Sequence, residues 1–356
     1  MLERLNTLLM DEHTSDIHLN SGDSIWVRAA GDMARVDHMP RVTEHDLRSL
    51  LSMWNISKEA MEAKGGYADF AQSLGQTRLR GHAYFADGAR SINISLRRLP
   101  AEVRALSALG LPPSVHGLLK AHNGLVLVCG GTGSGKSTTL AAMINEINHT
   151  HCANIITLED PIEFVHKSSQ SSRIRQKSVG AMARGCDIES FAEGVRASLR
   201  EDPDVIMVGE VRDKSTVDAC LQAAQTGHLV LATLHTNSAM EAIERILSYF
   251  PGEKTAVQSV LASVVRGVVA QRLVPSVSRG RVLAAEVMIS TPAIAANIMK
   301  GNVGNIAQAM ESGLREGQLP LDRALLKLCT AQLISRQAAL GATHTPDNLR
   351  SLLEAA

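Results

Sequence analysis

Apolar positions fall along the chain in three regimes. Over the first hundred residues, helical spacing mixes with alternation. Leu2, Leu5, Leu8 and Leu9 recur on one helical face. Asp16-Ile17-His18-Leu19, Ser24-Ile25-Trp26-Val27-Arg28 and Ser91-Ile92-Asn93-Ile94-Ser95-Leu96 alternate as half-buried strands do. The segment from Thr43 to Glu59 predicts one helix, with Leu47, Leu50, Leu51 and Trp54 on a single face. Residues 1–100 therefore read as a small α+β domain. Residues 101–118 form a connector whose Gly110-Leu111-Pro112-Pro113 marks either a hinge or a fixed docking segment.

From 119 to 290 the pattern changes. Near-continuous apolar runs at Leu125–Val128, Asn154–Leu158, Val205–Val208 and Leu229–Thr233 are separated by helical patterns after Lys136, near Ser190–Leu199 and at Ser215–Gln225. Ser190 with Glu193 is a capping-box signature for the middle helix. Apolar strands separated by helices predict an α/β fold, with a parallel sheet covered on both faces. Ligands on such sheets sit at the carboxyl ends of the strands. Residues 291–356 read as a helical tail. Thr291-Pro292 starts one helix, and Leu321, Leu325 and Leu328 pattern another that weakens at Gln332. This tail reads as a packing element.

Composition narrows the function classes. The chain has 356 residues, enough for two cores, and is 45% hydrophobic with a formal net charge of zero. Neutral charge and only 3% aromatic residues argue against a nucleic-acid partner. The five cysteines (129, 152, 186, 220 and 329) form no C-x-x-C pair, which predicts free thiols in a reducing compartment. The first residues lack the build of a signal peptide, and no apolar run reaches the roughly 18 residues of a membrane span. A cytoplasmic location is expected.

Chemistry enters at Gly130-Gly131-Thr132-Gly133-Ser134-Gly135-Lys136-Ser137, which has the spacing G-x-x-x-x-G-K-[ST] between an apolar run and a helical pattern. That context fits a phosphate-binding loop, whose backbone N–H groups and helix N-terminus surround a phosphate. Gly131 to Ser137, with Thr138, form the expected nucleotide-binding set. Lys136 is placed to reach the β- and γ-phosphates, and Ser137 to ligate Mg2+. Three further clusters follow strand ends. Glu159-Asp160-Pro161-Ile162-Glu163 is either a solvated acidic turn or a group that holds Mg2+ through water or orients an attacking water. Gly209-Glu210 ends a strand with a carboxylate suited to positioning the nucleophile, or to starting a helix. Leu234-His235-Thr236-Asn237, with His228 before the same strand, suits sensing of a γ-phosphate. Arg78, Arg80, Arg90, Arg97 and Arg98 in the first domain are either a solvated strand face or phosphate-facing.

These blocks carry a family resemblance. Ile156 to His166 resembles the "Asp box" of the secretion ATPase superfamily, Leu199 to Asp213 its Walker B block, and Thr226 to Asn237 its "His box". Within that superfamily the chain most resembles the type IV pilus retraction (PilT-like, twitching-motility) ATPases. Ser15-Asp16-Ile17-His18-Leu19 and Arg78-Leu79-Arg80 extend the match to nearly the whole length. The resemblance implies a PAS-like N-terminal domain joined to a RecA-like P-loop NTPase domain. It also implies a homohexameric ATP-hydrolysing ring on the cytoplasmic side of the inner membrane, working against a platform protein of a pilus or secretion system. It assigns ATP and Mg2+ as cofactors, and Glu210 to water activation. Glu163 takes the place of the Asp-box acid, also facing the metal, and His228 and His235 take the places of the two His-box histidines. Arg80 and Arg97 fall where family arginines approach the nucleotide. One element departs: retraction ATPases carry A-I-R-N-L-I-R-E after a Thr-Pro pair, whereas Thr291-Pro292 here leads into Ala293-Ile294-Ala295-Ala296-Asn297-Ile298-Met299-Lys300. Motors of type IVB secretion and conjugative transfer therefore compete as readings, with a nucleic-acid translocase more remote.

Overall fold

The first apolar regime folds as an antiparallel sheet of β1 (Thr14–Asn20), β2 (Ile25–Ala29), β3 (Asp32–Val36), β4 (Tyr67–Leu74), β5 (Thr77–Ala86) and β6 (Ser91–Arg98). The strand order is β3-β2-β1-β6-β5-β4. The structure is a computed structural model that describes residues 1–355 except 12, 30, 64, 100, 101, 181–185 and 279. Alternation decides which face is covered. Ile17, Leu19, Ile25, Leu79, Ile94 and Leu96 point into one core, which the helix Leu2–Met10 completes with Leu5 and Leu9 and the helix Glu44–Met53 with Leu47, Leu50 and Leu51.

The single helix expected over Thr43 to Glu59 is two helices, Glu44–Met53 and Lys58–Glu62. Asn55 takes a left-handed φ of 55°, which a polar side chain tolerates and which ends the first helix. Ser57 then caps the second by accepting from Ala60 N–H at 3.1 Å. Strands β4 and β5 have no counterpart in the sequence reading. Their inward positions are partly Ala68, Gly81 and Ala83, so their alternation in hydrophobicity is weak.

The second sheet comprises β7 (Gly124–Cys129), β8 (Asn154–Glu159), β9 (Arg173–Ser178), β10 (Val205–Val208), β11 (Leu229–Leu234), β12 (Val265–Pro275) and β13 (Arg281–Ile289), in the order β13-β12-β7-β11-β10-β8-β9. Strands β12, β7, β11, β10 and β8 run parallel. All six residues of β7 and of β11 are buried, as strands covered on both faces require. The sheet is not wholly parallel, because β13 runs antiparallel to β12. Only residues 276–280 link the two, too few for a crossover. Helices Lys136–Thr150, Phe191–Ser198 and Lys214–Gln225 connect the parallel strands. Ser190 caps the middle one by accepting from Glu193 N–H.

The chain divides into two compact units. One takes residues 1–103, 159–165 and 176–189; the other takes 104–158, 166–175 and 190–356. In the second unit, helices Leu321–Thr330, Arg336–Ala342 and Pro346–Glu354 bury Leu321, Leu325, Ala339, Leu349 and Leu353 against Val274 of β12 and Ala284 of β13. Gln332 adopts a φ of 56° just past the first of these helices, where the helical repeat weakens. The five cysteines are free thiols, and burial pushes those of Cys129 and Cys220 up to about 12. Among the described residues, no helix is long and apolar enough to cross a membrane.

Candidate active site

Strand β7 delivers the chain to Gly130, and the helix Lys136–Thr150 begins six residues later, so the loop's N–H groups crowd the positive end of that helix. Gly130, Gly133 and Gly135 take φ values of 147°, 74° and 93°. At Gly130 a Cβ would lie 2.4 Å from both the Gln271 carbonyl oxygen and Ser134 Oγ, so nothing larger than glycine fits. Gly131, Thr132 and Gly133 form an exposed rim above the buried Ser134. Ser137 stands exposed on the helix's first turn with the half-buried Thr138 beside it. Lys136 Nζ donates to the carbonyls of Gly130 at 2.8 Å and Gly131 at 3.0 Å. Burial lowers its pKa, and the carboxylate of Glu210 opposes that effect.

Glu210 follows β10 by two residues, after Gly209 N–H has donated to the Leu158 carbonyl at 2.8 Å. One oxygen of Glu210 meets Arg212 Nη2 at 2.6 Å, and the other meets His235 Nε2 at 3.2 Å. Burial raises its pKa. The hydrogen bond and charge of Arg212, then the charges of His235 and Lys136, outweigh that and hold the carboxyl below its ordinary value. Lys136, Glu210 and His235 thus converge at the carboxyl ends of β7, β10 and β11, where the open-sheet rule places ligands.

His228 does not join them. It precedes the first residue of β11, so the six-residue strand holds it about 20 Å from His235. Its Nδ1 lies 3.0 Å from the Ala223 carbonyl, an acceptor, so that nitrogen carries the proton and the ring closes the end of the helix Lys214–Gln225. Within one chain the two histidines serve opposite ends of the sheet.

The remaining expected residues lie in the first unit. Glu163 pairs with Arg80 Nη1 at 3.1 Å, and Arg78 Nη2 donates to the Ile162 carbonyl at 3.0 Å. Arg97, opposite Arg80 in the β5–β6 register, pairs with Asp16 at 2.7 Å. Burial raises the Asp16 pKa, but hydrogen bonds from Arg97 and Ser15, with the charges of Arg97 and His18, together bring it below its ordinary value. Each of these two arginines is therefore held by a carboxylate within its own unit. Among the described residues no three His, Cys, Asp or Glu groups gather as a metal cage. Mg2+ needs none, because it keeps several waters and takes one or two protein oxygens plus phosphate.

Sequence reasoning gave no task to Arg212, Gln271 or Arg272. Arg212 stood inside a quoted motif, and a charge at an (i, i+2) spacing was the available signal. Gln271 and Arg272 border a cleft of about 540 Å³ beside Gly131–Ser134. No local signal marks them, since their partners are remote in sequence.

Residues 91–316 match the family model described as "Type II/IV secretion system protein", and the chain belongs to this family. It is 40% identical to the uncharacterised protein YggR of Escherichia coli K12 over 326 residues, covering 91% of this chain and 96% of that one. It is 37% identical to the type IV pilus retraction ATPase PilT of Pseudomonas aeruginosa over 339 residues, covering 94% of this chain and 95% of that one. A crystal structure of the pilus retraction motor PilT with bound ADP is similar with a TM-score of 0.87 at 39% identity, covering 99% of each chain. The resemblance read from the motif blocks is borne out, and so is the fold class.

Proposed function

We propose that this protein is an ATPase that drives a type IV pilus, in the retraction and disassembly that underlie twitching motility. It works as a homohexameric ring held at the inner membrane by a platform protein. The observation that carries the chemistry is the convergence of Lys136, Glu210 and His235 at three adjacent strand ends. Lys136 neutralises charge on the β- and γ-phosphates, while the loop N–H groups hold them. Ser137 would hold Mg2+, which would supply charge neutralisation on the phosphates. Glu210, kept ionised by Arg212, accepts a hydrogen bond from the attacking water and aligns it. His235 turns one Glu210 oxygen and senses the γ-phosphate. For Lys136→Ala we expect phosphate release to be abolished. Steady phosphate release by that variant would remove the assignment.

The helix Pro292–Met299 favours a second reading. Its buried face, Ile294 and Ile298, is that of the retraction element, but Ala295, Met299 and Lys300 stand where that element carries two arginines and a glutamate. Met299 is half exposed, so the difference lies on the outward face. A secretion or conjugative-transfer motor would turn such a face to a different platform. Deleting the gene separates the two. Surplus surface pili without twitching support the pilus motor, whereas intact motility with failed secretion or transfer supports the second reading.

A further inference from the structure

We infer that Gln271 of β12 is a positioning residue for the phosphate loop, holding the Ser134–Gly135 peptide in the orientation that binds nucleotide. The inference rests on the reading of that loop as the nucleotide site. Strand β12 runs parallel to β7 with Ala270 beside Cys129, which brings the next residue, Gln271, beside the first glycine of the loop. The side chain is 3% exposed in a strand whose neighbours Val268, Val269 and Ala270 are buried and apolar. A carboxamide at such a position is costly to desolvate unless its hydrogen bonds are specific. Its Nε2 donates to the Ser134 carbonyl at 2.9 Å.

That bond sets more than one atom. In a trans peptide the carbonyl and the following N–H point in opposite directions. Fixing the Ser134 carbonyl toward β12 therefore turns Gly135 N–H away from it, toward the mouth of the loop where a phosphate would sit. The surrounding contacts leave the peptide little freedom to flip. A Cβ at Gly135 would lie 3.2 Å from Gln271 Nε2, and one at Gly130 would lie 2.4 Å from the Gln271 carbonyl. Both glycines are thus pressed against the same strand residue, one through its side chain and one through its backbone. Gln271 Oε1 and Ser134 Oγ are buried and, among the described residues, have no hydrogen-bond partner. The site therefore keeps polar capacity at the back of the loop.

Without the amide donor, the peptide samples the flipped orientation before nucleotide arrives, and binding must select against it. The loss falls on affinity rather than on the chemical step. The purified full-length protein would be measured for Kd of Mg·ADP by a fluorescent analogue and for steady-state ATP hydrolysis. Gln271→Leu is expected to raise Kd and KM about tenfold, close to the loss of one net hydrogen bond, while kcat moves less than threefold. Gln271→Glu keeps the shape, replaces the donor with an acceptor facing a carbonyl, and should weaken binding at least as much. If the leucine variant does not fold, Gln271→Met carries the same expectation. Unchanged Kd and KM in a folded variant, or a fall in kcat alone, overturns the inference. A wild-type protein that binds no Mg·ADP overturns the nucleotide-site reading instead, so the two failures are distinguishable.

Discussion

Glu210 is pulled in opposite directions by burial and by Arg212, and the balance sets what it can do. With Arg212 in place the carboxyl is held below its ordinary value, which suits an acceptor that aligns water but makes it a weak proton abstractor. Removing Arg212 leaves burial as the largest influence, so the pKa of Glu210 rises. For Arg212→Gln we therefore expect the acid limb of the kcat profile to move to higher pH, and a pH–rate profile checks it; an unmoved limb would mean that Glu210 does not titrate in the rate-limiting step. Arg80→Ala tests the first unit in the same currency: turnover should fall with the fold intact, because the family pattern gives this side chain to the nucleotide, and normal hydrolysis would leave it only the ion pair with Glu163. Glu210 and His235 were legible because each follows the end of an apolar run within a long motif, and Lys136 because it ends the glycine-rich loop after β7. His228, expected from the same motif, lies at the other end of β11 from His235. A motif places two histidines seven residues apart, and only the strand between them shows that they face opposite ends.

Element boundaries follow local chemistry that a linear pattern records unevenly. The helix Lys214–Gln225 starts at Asp213, whose carboxylate accepts from Thr216 N–H at 2.8 Å and from the Ser215 hydroxyl. Burial raises the Asp213 pKa, and these hydrogen bonds lower it by more. A lowered folded pKa contributes stability above the unfolded value, and that contribution is lost as pH falls through the folded one. Asp213→Ala is expected to cost about 1 kcal/mol and about 2–4 °C in melting temperature at neutral pH. Asp213→Asn should keep most of the cap yet lose its acid sensitivity, and thermal melts at neutral and acid pH distinguish the two. Strands β7, β8, β10 and β11 were readable within a residue or two, because apolar runs end there at glycine or charge. The step from the helix Lys254–Val264 to β12 was not readable. Leu261 to Val265 is apolar apart from Ser263, with Val264 and Val265 on either side of the join, and periodicity does not separate helix from strand in so short a stretch. The break at Asn55 was missed because Leu47 to Trp54 supplies a helical face that runs straight into it.

At the scale of the whole molecule, the helical tail is tied to the nucleotide-binding unit by polar contacts as well as by its apolar face. Arg272 donates to the carbonyls of Asn237, at 3.1 Å, and of Ala342, and meets His344 Nε2 at 2.7 Å. It thereby joins the segment just after His235 to the turn between the last two helices. Asp322 is 5% exposed and accepts from the hydroxyls of Thr343 and Thr345 and from Asn348 Nδ2. An aspartate in a helix's first turn reads in sequence as an ordinary solvated cap residue, so this clasp had no signal. Asp322→Ala removes a buried acceptor from three donors at once, the half-buried Thr343 and the exposed Thr345 and Asn348, and hydrogen bonds to a charged acceptor are worth about 1.5–3 kcal/mol each before relaxation. We expect a loss of about 3 kcal/mol concentrated in the tail. Limited proteolysis should cut first between residues 331 and 345 while the remaining chain stays folded. Leu325→Ala, which opens a cavity in the apolar face of the same helix, should lower stability by a similar 2–5 kcal/mol without singling out that turn. Identical cleavage patterns for the two variants would show that the clasp adds nothing local. Earlier cleavage in Asp322→Ala alone would show that one buried carboxylate and its three donors hold the tail in place.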